Sequence, residues 1–358
     1  EVFASRDDIR SEIWHREVTF ERGHLYLVEA GSGTGKSSLC SYIIGYRNDY
    51  QGIISFDGKN IRNYKVKDWV ELRKRSLSHL FQELRLFPEL TAYENVAIKN
   101  NLTGFKKKKQ IEAWFDALGI GDKLHAPISR MSFGQQQRVA FARALVMGQE
   151  ILLLDEPLSN LDAKLRVDVR TELRQIQQKL GITTIYVTHD QDEALSMSDI
   201  IAVMRSGHIE QIGSPWEIYF RPANRFVADF VGTVNFLTAR IVSAEGGTVA
   251  ADHNGMLLQI PTEVPVEPGE TVTLVVRPEC IRLAEPGESV PEGKSLEGQI
   301  ENYSFLGRII RYWVRVGEEQ FIIDDANVDL SGARSGAVQL CLDTRKLHIL
   351  KDGGSHDT

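Results

Sequence analysis

The sequence has few cysteines and no long apolar run, and each shortage excludes a class of protein. Its 358 residues include only three cysteines, Cys40, Cys280 and Cys341, which lie far apart in the chain. They match neither a disulfide framework nor a zinc motif, and they fit small buried hydrophobes in a reducing cytosol. No stretch approaches the roughly 20 apolar residues that span a bilayer, so any membrane role requires a partner.

The sequence also lacks an excess of positive charge. It has 42 lysines and arginines against 49 aspartates and glutamates, which gives a net charge of −7. That balance argues against nucleic acid as the main partner. The lysine run at Lys106–Lys109 is interpreted as an exposed turn or helix start, since runs of like charge are usually solvated. The opening EVFASRDDIR does not resemble a signal peptide.

Two patterns divide the chain. Up to about Phe230, strand-like runs such as HLYLVEA, LSHLFQ, ILLLDEP, TTIYVTH and IIAVMRSGHI alternate with amphipathic helix-like segments. This alternation predicts a parallel sheet covered by helices, with a helical insertion that includes Glu94–Leu118. After about Thr233, short alternating segments separated by Gly, Pro, Asn and Asp predict a small all-β sandwich or barrel. The predicted domains are 1–232, with a helical subdomain at about 83–145, then 233–351, then a disordered tail at 352–358.

A glycine-rich loop, Ala30–Ser38, follows the first of these strands and reads AGSGTGKSS. Such a loop curls backbone N–H groups around phosphate oxygens, while a lysine reaches the β- and γ-phosphates and a hydroxyl holds Mg²⁺. The residues expected to bind nucleotide here are Gly31, Ser32, Gly33, Thr34, Gly35, Lys36, Ser37 and Ser38, with Ser37 also on the metal. Ala30 replaces the usual first glycine, which is tolerable where φ stays below zero. The alternative is a glycine-rich turn without a ligand.

A buried strand, Ile151–Pro157, ends in two adjacent carboxylates. Asp155 fits a residue that holds Mg²⁺ through water, and Glu156 fits the general base that polarises the attacking water. The alternative is a buried strand capped by two solvated acids. Upstream, Ser132 of the sequence MSFGQ is expected to cap the N-terminus of a helix.

Together these motifs resemble the ATP-binding subunits of the ABC transporter family. In that family the loop corresponding to Ser132–Gln136 binds the γ-phosphate of ATP held by the opposite subunit. The resemblance assigns this contact to Ser132, Gly134 and Gln135, and Phe133 stands where a glycine is usual.

The remaining family positions are carried over one by one. Gln82 resembles the glutamine that reaches Mg²⁺ and the attacking water and links to the membrane partner. Asp162, in SNLD, resembles the aspartate that crosses the dimer interface, and His189 resembles the switch histidine on the γ-phosphate. Phe3 stands where the family has an aromatic ring that stacks on adenine; the alternative is an apolar residue of the first strand. Taken singly, Gln82 is an ordinary surface glutamine and His189 an ordinary core histidine.

The second part of the chain resembles importers of the spermidine/putrescine, iron and maltose type. The residues that carry this resemblance are HDQDEALSMSD, GSPWEIYFRPANRFVADFVG, VVRPECIRL and SFLGRIIRYWV. The implied fold is an α/β P-loop NTPase, with a RecA-like core and a helical subdomain, followed by a small all-β, OB-like domain called TOBE. That accessory domain could equally be a structural module that binds no ligand.

The resemblance implies an ATPase that uses ATP and Mg²⁺ and energises solute import. Its implied partners are a second copy, with two ATP molecules between the copies, permease subunits, and indirectly an extracytoplasmic solute-binding protein; no nucleic acid is expected. Its implied location is the cytoplasmic face of the inner or plasma membrane. Three alternatives remain: an exporter of lipoproteins or peptides, which Glu12–Leu145 resembles, a non-transport ABC ATPase, and a binding module with an inactive site.

Overall fold

The computed structural model divides into two compact units, Glu1–Pro215 and Trp216–Thr358. The residues that the structure describes are 18–30, 36–81, 83–102, 104, 106–146, 148–159, 161, 163–205, 208–285, 288–290, 295–328 and 332–350. The predicted domain bounds at 232/233 and 351/352, and the helical subdomain at about 83–145, stay predictions.

The first unit is built on a central sheet. Within the described ranges its strands are β1 (Leu25–Ala30), β2 (Ser55–Phe56), β3 (Lys59–Asn60), β4 (Leu77–Leu80), β5 (Ile151–Asp155), β6 (Thr183–Thr188), β7 (Ile200–Arg205) and β8 (His208–Gly213). The described strands of the main sheet run in the order β4-β5-β6-β1-β7-β8, and β2 pairs with β3 apart from it. In the sheet order, each adjacent pair of strands from β4 across to β7 is parallel, as the sequence predicts. Parallel strands require long crossover connections, and here these contain helices. Strand β8 returns from β7 through a short connection, which permits only an antiparallel pair.

Helices cover this sheet and form a separate cluster beside it. Their bounds are α1 (Lys36–Ile43), α2 (Val66–Arg75), α3 (Ala92–Asn101), α4 (Lys108–Ala117), α5 (Phe133–Leu145), α6 (Ala163–Leu180) and α7 (Gln191–Met197). Helices α3, α4 and α5 share an apolar core around Val96, Phe115 and Val139, which are almost fully buried. Within each helix, the buried residues of this core recur three or four positions apart. Each helix therefore turns one apolar face toward the other two. Lys108, in the lysine run, is the exposed first residue of α4, as predicted.

The core of the sheet comes from strand residues without polar side chains. Val28, Leu153, Ile185 and Val187 are each at most 3% exposed, and they pack with Cys40 of α1. Strands that are covered on both faces need such continuous apolar runs, which explains the pattern in ILLLD and in the central IYV of β6. Cys40 and Cys280 are buried free thiols, in line with the interpretation of the cysteines as small hydrophobes.

The second unit consists of two short helices and antiparallel strands. Its described elements are α8 (Pro215–Phe220, which begins at the boundary), α9 (Arg225–Phe230), β9 (Asn235–Glu245), β10 (Thr248–His253), β11 (Met256–Pro261), β12 (Thr271–Val276), β13 (Ile281–Leu283), β14 (Leu296–Phe305), β15 (Ile310–Val316), β16 (Glu319–Asp325), β17 (Ala337–Leu342) and β18 (His348–Leu350). Among the described residues they form two five-stranded sheets, β11-β10-β9-β12-β18 and β13-β17-β14-β15-β16.

The two sheets of the second unit share one apolar core. Leu237, Leu274, Tyr312 and Phe321 are among its residues, each at most 3% exposed. The alternating burial along β9 and β11 is the pattern of antiparallel strands with one face on a core and one in water. The all-β prediction for this part of the chain is therefore confirmed. Across the described residues of the chain, no helix combines the length and the apolar character needed to cross a membrane.

Candidate functional site

Several of the predicted site residues lie where the parallel strands of the central sheet end. Asp155, the last residue of β5, lies opposite Val187 of β6, which in turn lies opposite Val28 of β1. Neighbouring strands are about 4.8 Å apart, so the ends of β5 and β1 are separated by about 10 Å. In open α/β folds, ligands bind at the carboxyl ends of the parallel strands, where adjacent strands connect in opposite directions. Here β1 and β6 are adjacent: the next strand of this sheet after β1 is β4 on one side, and the next after β6 is β7 on the other.

The predicted phosphate loop lies between two elements of the structure, β1 and α1. Ala30 is the last residue of β1 and pairs with Met204, so its backbone is extended. The replacement of the usual glycine by alanine therefore requires no left-handed backbone. Helix α1 begins at Lys36 and points its positive end back toward the loop. In its first turn, Ser37 is exposed and Ser38 accepts a hydrogen bond from Arg47 Nη1 at 3.2 Å.

Asp155 lies beside the same helix. Burial raises the pKa of the Cys40 thiol, and the negative charge of Asp155 raises it further. Residues three apart share a face of a helix, so Cys40 and Ser37 lie on one side of α1. The Asp155 carboxylate, which is only 9% exposed, therefore lies near the side of α1 that carries the Ser37 hydroxyl.

Glu156 and His189 are in direct contact. Their Oε1 and Nδ1 atoms lie 3.2 Å apart, with Glu156 20% and His189 58% exposed. The Glu156 N–H donates to Val187 O at 2.9 Å, which ties the residue to the end of β6 just before His189. Glu156 has φ +45°, a left-handed conformation that costs an L-residue about 1–2 kcal/mol. Such strain is held by the surrounding structure and clusters at functional sites.

The Ser132 loop forms the N-terminus of α5. The Gln135 N–H donates to Ser132 Oγ at 3.4 Å, and the Ser132 N–H donates to Gln135 Oε1 at 3.0 Å. This reciprocal pair is a capping box, and the predicted helix cap at Ser132 is confirmed. Gly134 is buried, whereas Phe133 is 39% exposed at the first position of the helix. The exposed Ser132 therefore stands at a helix N-terminus, a position suited to an anion.

Several predicted positions lie outside the described residues. These are Phe3, Gly31, Ser32, Gly33, Thr34, Gly35, Gln82 and Asp162, together with the side chain of Lys36 and the tail at 352–358. Their predicted roles stay predictions.

A buried carboxyl group beneath the His189 loop has no assigned role in the sequence interpretation. Glu193 of α7 is 2% exposed, and its Oε2 accepts hydrogen bonds of 2.7 Å from Tyr186 and Thr188. Burial raises the pKa of Glu193, against the opposing effect of these two hydrogen bonds. The spacing of the apolar residues in TTIYVT indicates the burial of Tyr186, but the carboxylate five residues beyond Thr188 looks like an ordinary residue of an exposed helix start.

We expect Glu193→Gln to gain stability relative to the wild type as the pH rises. At low pH the glutamate is neutral in both states. Above its ordinary pKa of about 4.3 the unfolded chain releases the proton first, so the wild type loses stability until the raised folded pKa is passed. The amide keeps an oxygen for Tyr186 and Thr188 and does not titrate. Urea unfolding of both proteins between about pH 5 and 8 measures this difference; a constant difference, or the opposite trend, would contradict it.

The described donors fit Mg²⁺ rather than a metal held by protein alone. Ser37 and Asp155 offer hydroxyl and carboxylate oxygens, which Mg²⁺ prefers, and it commonly completes its shell with phosphates and waters. Across the ranges described above, no three histidine, cysteine, aspartate or glutamate side chains are grouped as a metal cage. The donor set therefore suits a metal that arrives with a nucleotide.

Comparison with known proteins agrees with this geometry. A family model described as "ABC transporter" matches residues 15–159, and one described as "TOBE domain" matches residues 274–350. The Fe(3+) ions import ATP-binding protein FbpC of Brucella melitensis is 38% identical over 336 residues, covering 93% of this chain and 92% of that protein. The protein of the same name from Fusobacterium nucleatum is 34% identical over 349 residues, covering 95% and 89%.

Two solved structures resemble the fold. CbiO1 of Clostridium perfringens, part of the ABC transporter complex cbiONQ, has a TM-score of 0.51 at 32% identity and covers 56% of this chain and 81% of its own. The dimeric structure of MJ0796, a bacterial ABC transporter cassette, has a TM-score of 0.51 at 25% identity and covers 55% and 88%. An ADP- and phosphate-bound dimer of MJ0796 has a TM-score of 0.50 at 26% identity.

Proposed function

Because this chain belongs to the ABC transporter ATP-binding family and is an ATP-hydrolysing import subunit, we propose that the solute it helps to import is ferric iron. The observation that carries the solute proposal is the match to Fe(3+) import ATP-binding proteins along more than nine-tenths of the chain. The carboxylate–histidine pair at the ends of the strands supports ATP hydrolysis as the energy source. Polyamine import, the other solute class that the sequence suggests, is the alternative to be separated by experiment.

Each chemical role falls to a specific side chain. Glu156 is the general base: its carboxylate accepts a proton from the water that attacks the γ-phosphate. His189 is held by Glu156 at 3.2 Å, and its ring stabilises the charge of the transferring phosphoryl group. Lys36 and the backbone of Gly31–Gly35 hold the β- and γ-phosphates, Ser38 supports them, and Phe3 stacks on the adenine.

Mg²⁺ is part of the proposal. Ser37, Asp155 and Gln82 would hold it, and when bound it would neutralise charge on the β- and γ-phosphates. The Asp155 carboxylate is positioned for this role by its place at the end of a buried strand beside α1.

The working form is proposed to be a homodimer with two ATP molecules between the subunits. Ser132, Gly134 and Gln135 of one copy contact the nucleotide of the other, and Asp162 crosses the interface. The capping box leaves the Ser132 hydroxyl exposed at a helix N-terminus, which supports this contact. Permease subunits complete the transporter, an extracytoplasmic binding protein delivers the solute, and the chain is placed on the cytoplasmic face of the membrane.

The domain assignment follows from these roles. Residues 1–232 form the nucleotide-binding domain, with a helical subdomain at about 83–145, and 233–351 form the TOBE accessory domain. The apolar core shared by α3, α4 and α5 supports a distinct helical subdomain.

Reconstitution tests the proposed solute. We expect the chain, assembled in proteoliposomes with the permease and binding protein encoded beside it, to take up ferric iron only when ATP and Mg²⁺ are supplied. Lys36→Ala should lower both uptake and ATP hydrolysis by about a hundredfold or more, as loss of a charge-stabilising group at a reacting centre does. Lys109→Ala, an exposed lysine of α4, is the matched control and should change neither.

Putrescine and spermidine are the competing solutes. Uptake of a polyamine but not of ferric iron would overturn the iron assignment and keep the import ATPase. ATP hydrolysis that persists in Lys36→Ala would overturn the assignment of the phosphate loop.

A further inference from the structure

Arg166, in the first turn of α6, connects two loops that flank the carboxylate–histidine pair. Its Nη2 donates to the backbone carbonyl of Leu161 at 3.0 Å, and its Nη1 donates to Asp190 Oδ2 at 3.1 Å. The side chain is 30% exposed, and that of Asp190 is 22% exposed. A guanidinium group suits this task because its planar fork fixes two acceptors at once.

Asp190 holds the backbone immediately after His189. Its Oδ1 accepts from the Glu193 N–H at 3.1 Å and so caps α7, while its own N–H donates to Thr188 Oγ1 at 3.0 Å. Thr188 in turn donates to the buried Glu193 carboxyl group. Residues 188 and 190 are therefore fixed on both sides of His189. Two arginines of α6 pair with Asp190: Arg170, at 4.0 Å from Oδ1, and Arg166, which among the described residues also reaches the Leu161 backbone.

The opposite side of the pair is linked to Leu161 as well. The Ser159 hydroxyl donates to the Glu156 carbonyl at 3.0 Å, and the Leu161 N–H donates to Leu158 O at 3.2 Å. The Leu161 backbone is therefore connected to both members of the pair. It follows Ser159, which bonds to Glu156, and it is linked through Arg166 and Asp190 to His189, which contacts Glu156 at 3.2 Å.

We propose that Arg166 is a positioning residue, which ties the Leu161 carbonyl to Asp190 and thereby sets the alignment of His189 with Glu156 during hydrolysis. This inference rests on the proposed roles of Glu156 and His189. Arg166 contacts no predicted nucleotide-binding residue among those described, so its effect falls on the hydrolytic step and not on ATP binding.

The experiment compares single and double variants of the full-length chain in steady-state ATP hydrolysis. Arg166→Met should lower kcat about ten- to a hundredfold, since a misplacement of roughly 1 Å can reduce a rate on the order of a hundredfold, and should leave KM for ATP within about twofold. Asp190→Asn keeps the helix cap and loses the charged acceptor, so it should lower kcat as well. Both changes break the Arg166–Asp190 link, and Asp190→Asn also removes the pair that Asp190 forms with Arg170 at 4.0 Å. The double variant should therefore be no slower than the slower of the two single variants. Arg166→Lys should recover part of kcat.

Arg174→Met is the matched control. Arg174 lies two turns further along α6 and pairs with Asp199, at the opposite end of the sheet from His189. Its loss should lower the unfolding midpoint at least as much as Arg166→Met does and leave kcat near that of the wild type.

Three outcomes would overturn the inference: an unchanged kcat in Arg166→Met, an equal loss in Arg174→Met, or losses that multiply in the double variant. A wild-type protein that hydrolyses no ATP, or a Glu156→Gln variant that remains active, would instead overturn the proposed function on which the inference rests. The two failures are therefore distinguishable in one set of assays.

Discussion

Glu156→Gln should hydrolyse ATP about 10²- to 10⁴-fold more slowly than the wild type, the range that a positioned general base contributes. Glutamine has nearly the same shape and can still contact His189 Nδ1, but its amide cannot accept the proton of the attacking water. ATP binding should be unchanged, because the phosphate loop and the capped α5 helix are untouched. Phosphate release at saturating ATP and equilibrium binding of a fluorescent ATP analogue measure the two quantities separately.

Glu150→Gln is the control, at the other end of β5. Glu150 immediately precedes β5, so it lies at the amino-terminal ends of the strands, away from Glu156. Its half-exposed carboxylate pairs there with Arg22 at 3.2 Å. This variant should hydrolyse ATP at the wild-type rate. If Glu156→Gln retained more than about a tenth of the wild-type kcat, Glu156 would fall below the range expected of a general base.

Arg277→Met should destabilise the second unit by about 3 kcal/mol or more, because it leaves several buried carbonyls without a donor, at about 1–3 kcal/mol each. The Arg277 side chain is 1% exposed and donates to the carbonyls of Tyr219, Ala228, Gly232 and Thr233 at 2.8–3.2 Å. These carbonyls lie at the ends of α8 and α9, where a helix has no internal donor to offer. Methionine fills much of the space but leaves all four acceptors unsatisfied.

Arg277→Lys should lie between the wild type and Arg277→Met, because one ammonium group cannot reach four acceptors that a guanidinium fork spans. Arg240→Met, an exposed arginine of β9, is the control and should change stability by less than about 0.5 kcal/mol. Scanning calorimetry of the full chain resolves the transition of this unit. A loss below about 1 kcal/mol in Arg277→Met would mean that water replaces the guanidinium.

The elements that follow local rules are predictable from the sequence. The segment AKLRVDVRTELRQIQQKLG predicts a helix that ends at glycine, and α6 spans Ala163–Leu180 with Gly181 at φ +61°. Ser132 followed by Gln135 predicts a capped helix start, and both bonds of the box are present. Asp155 and Glu156 stand at the end of an apolar run, so their place at the carboxyl edge of the sheet follows from the strand alone.

The long-range contacts are not predictable in this way. Arg166 is a charged residue on an amphipathic helix, and the pattern favours a solvated side chain. Its two acceptors come from parts of the chain 5 and 24 residues away, which only the fold brings together. Arg277 follows a buried strand, where a cation is unexpected. The carbonyls that satisfy it belong to α8, to α9 and to the residues just after α9, 44 to 58 residues upstream.

The left-handed backbone of Glu156 has a consequence for how this chain can change. Glycine would adopt φ +45° without steric cost, so at this one position the residue best suited to the fold differs from the residue best suited to the chemistry. Selection for thermal robustness and selection for turnover act there in opposite directions. A sequence optimised for stability alone would drift toward glycine, and it would keep the architecture of the site while losing the proton acceptor.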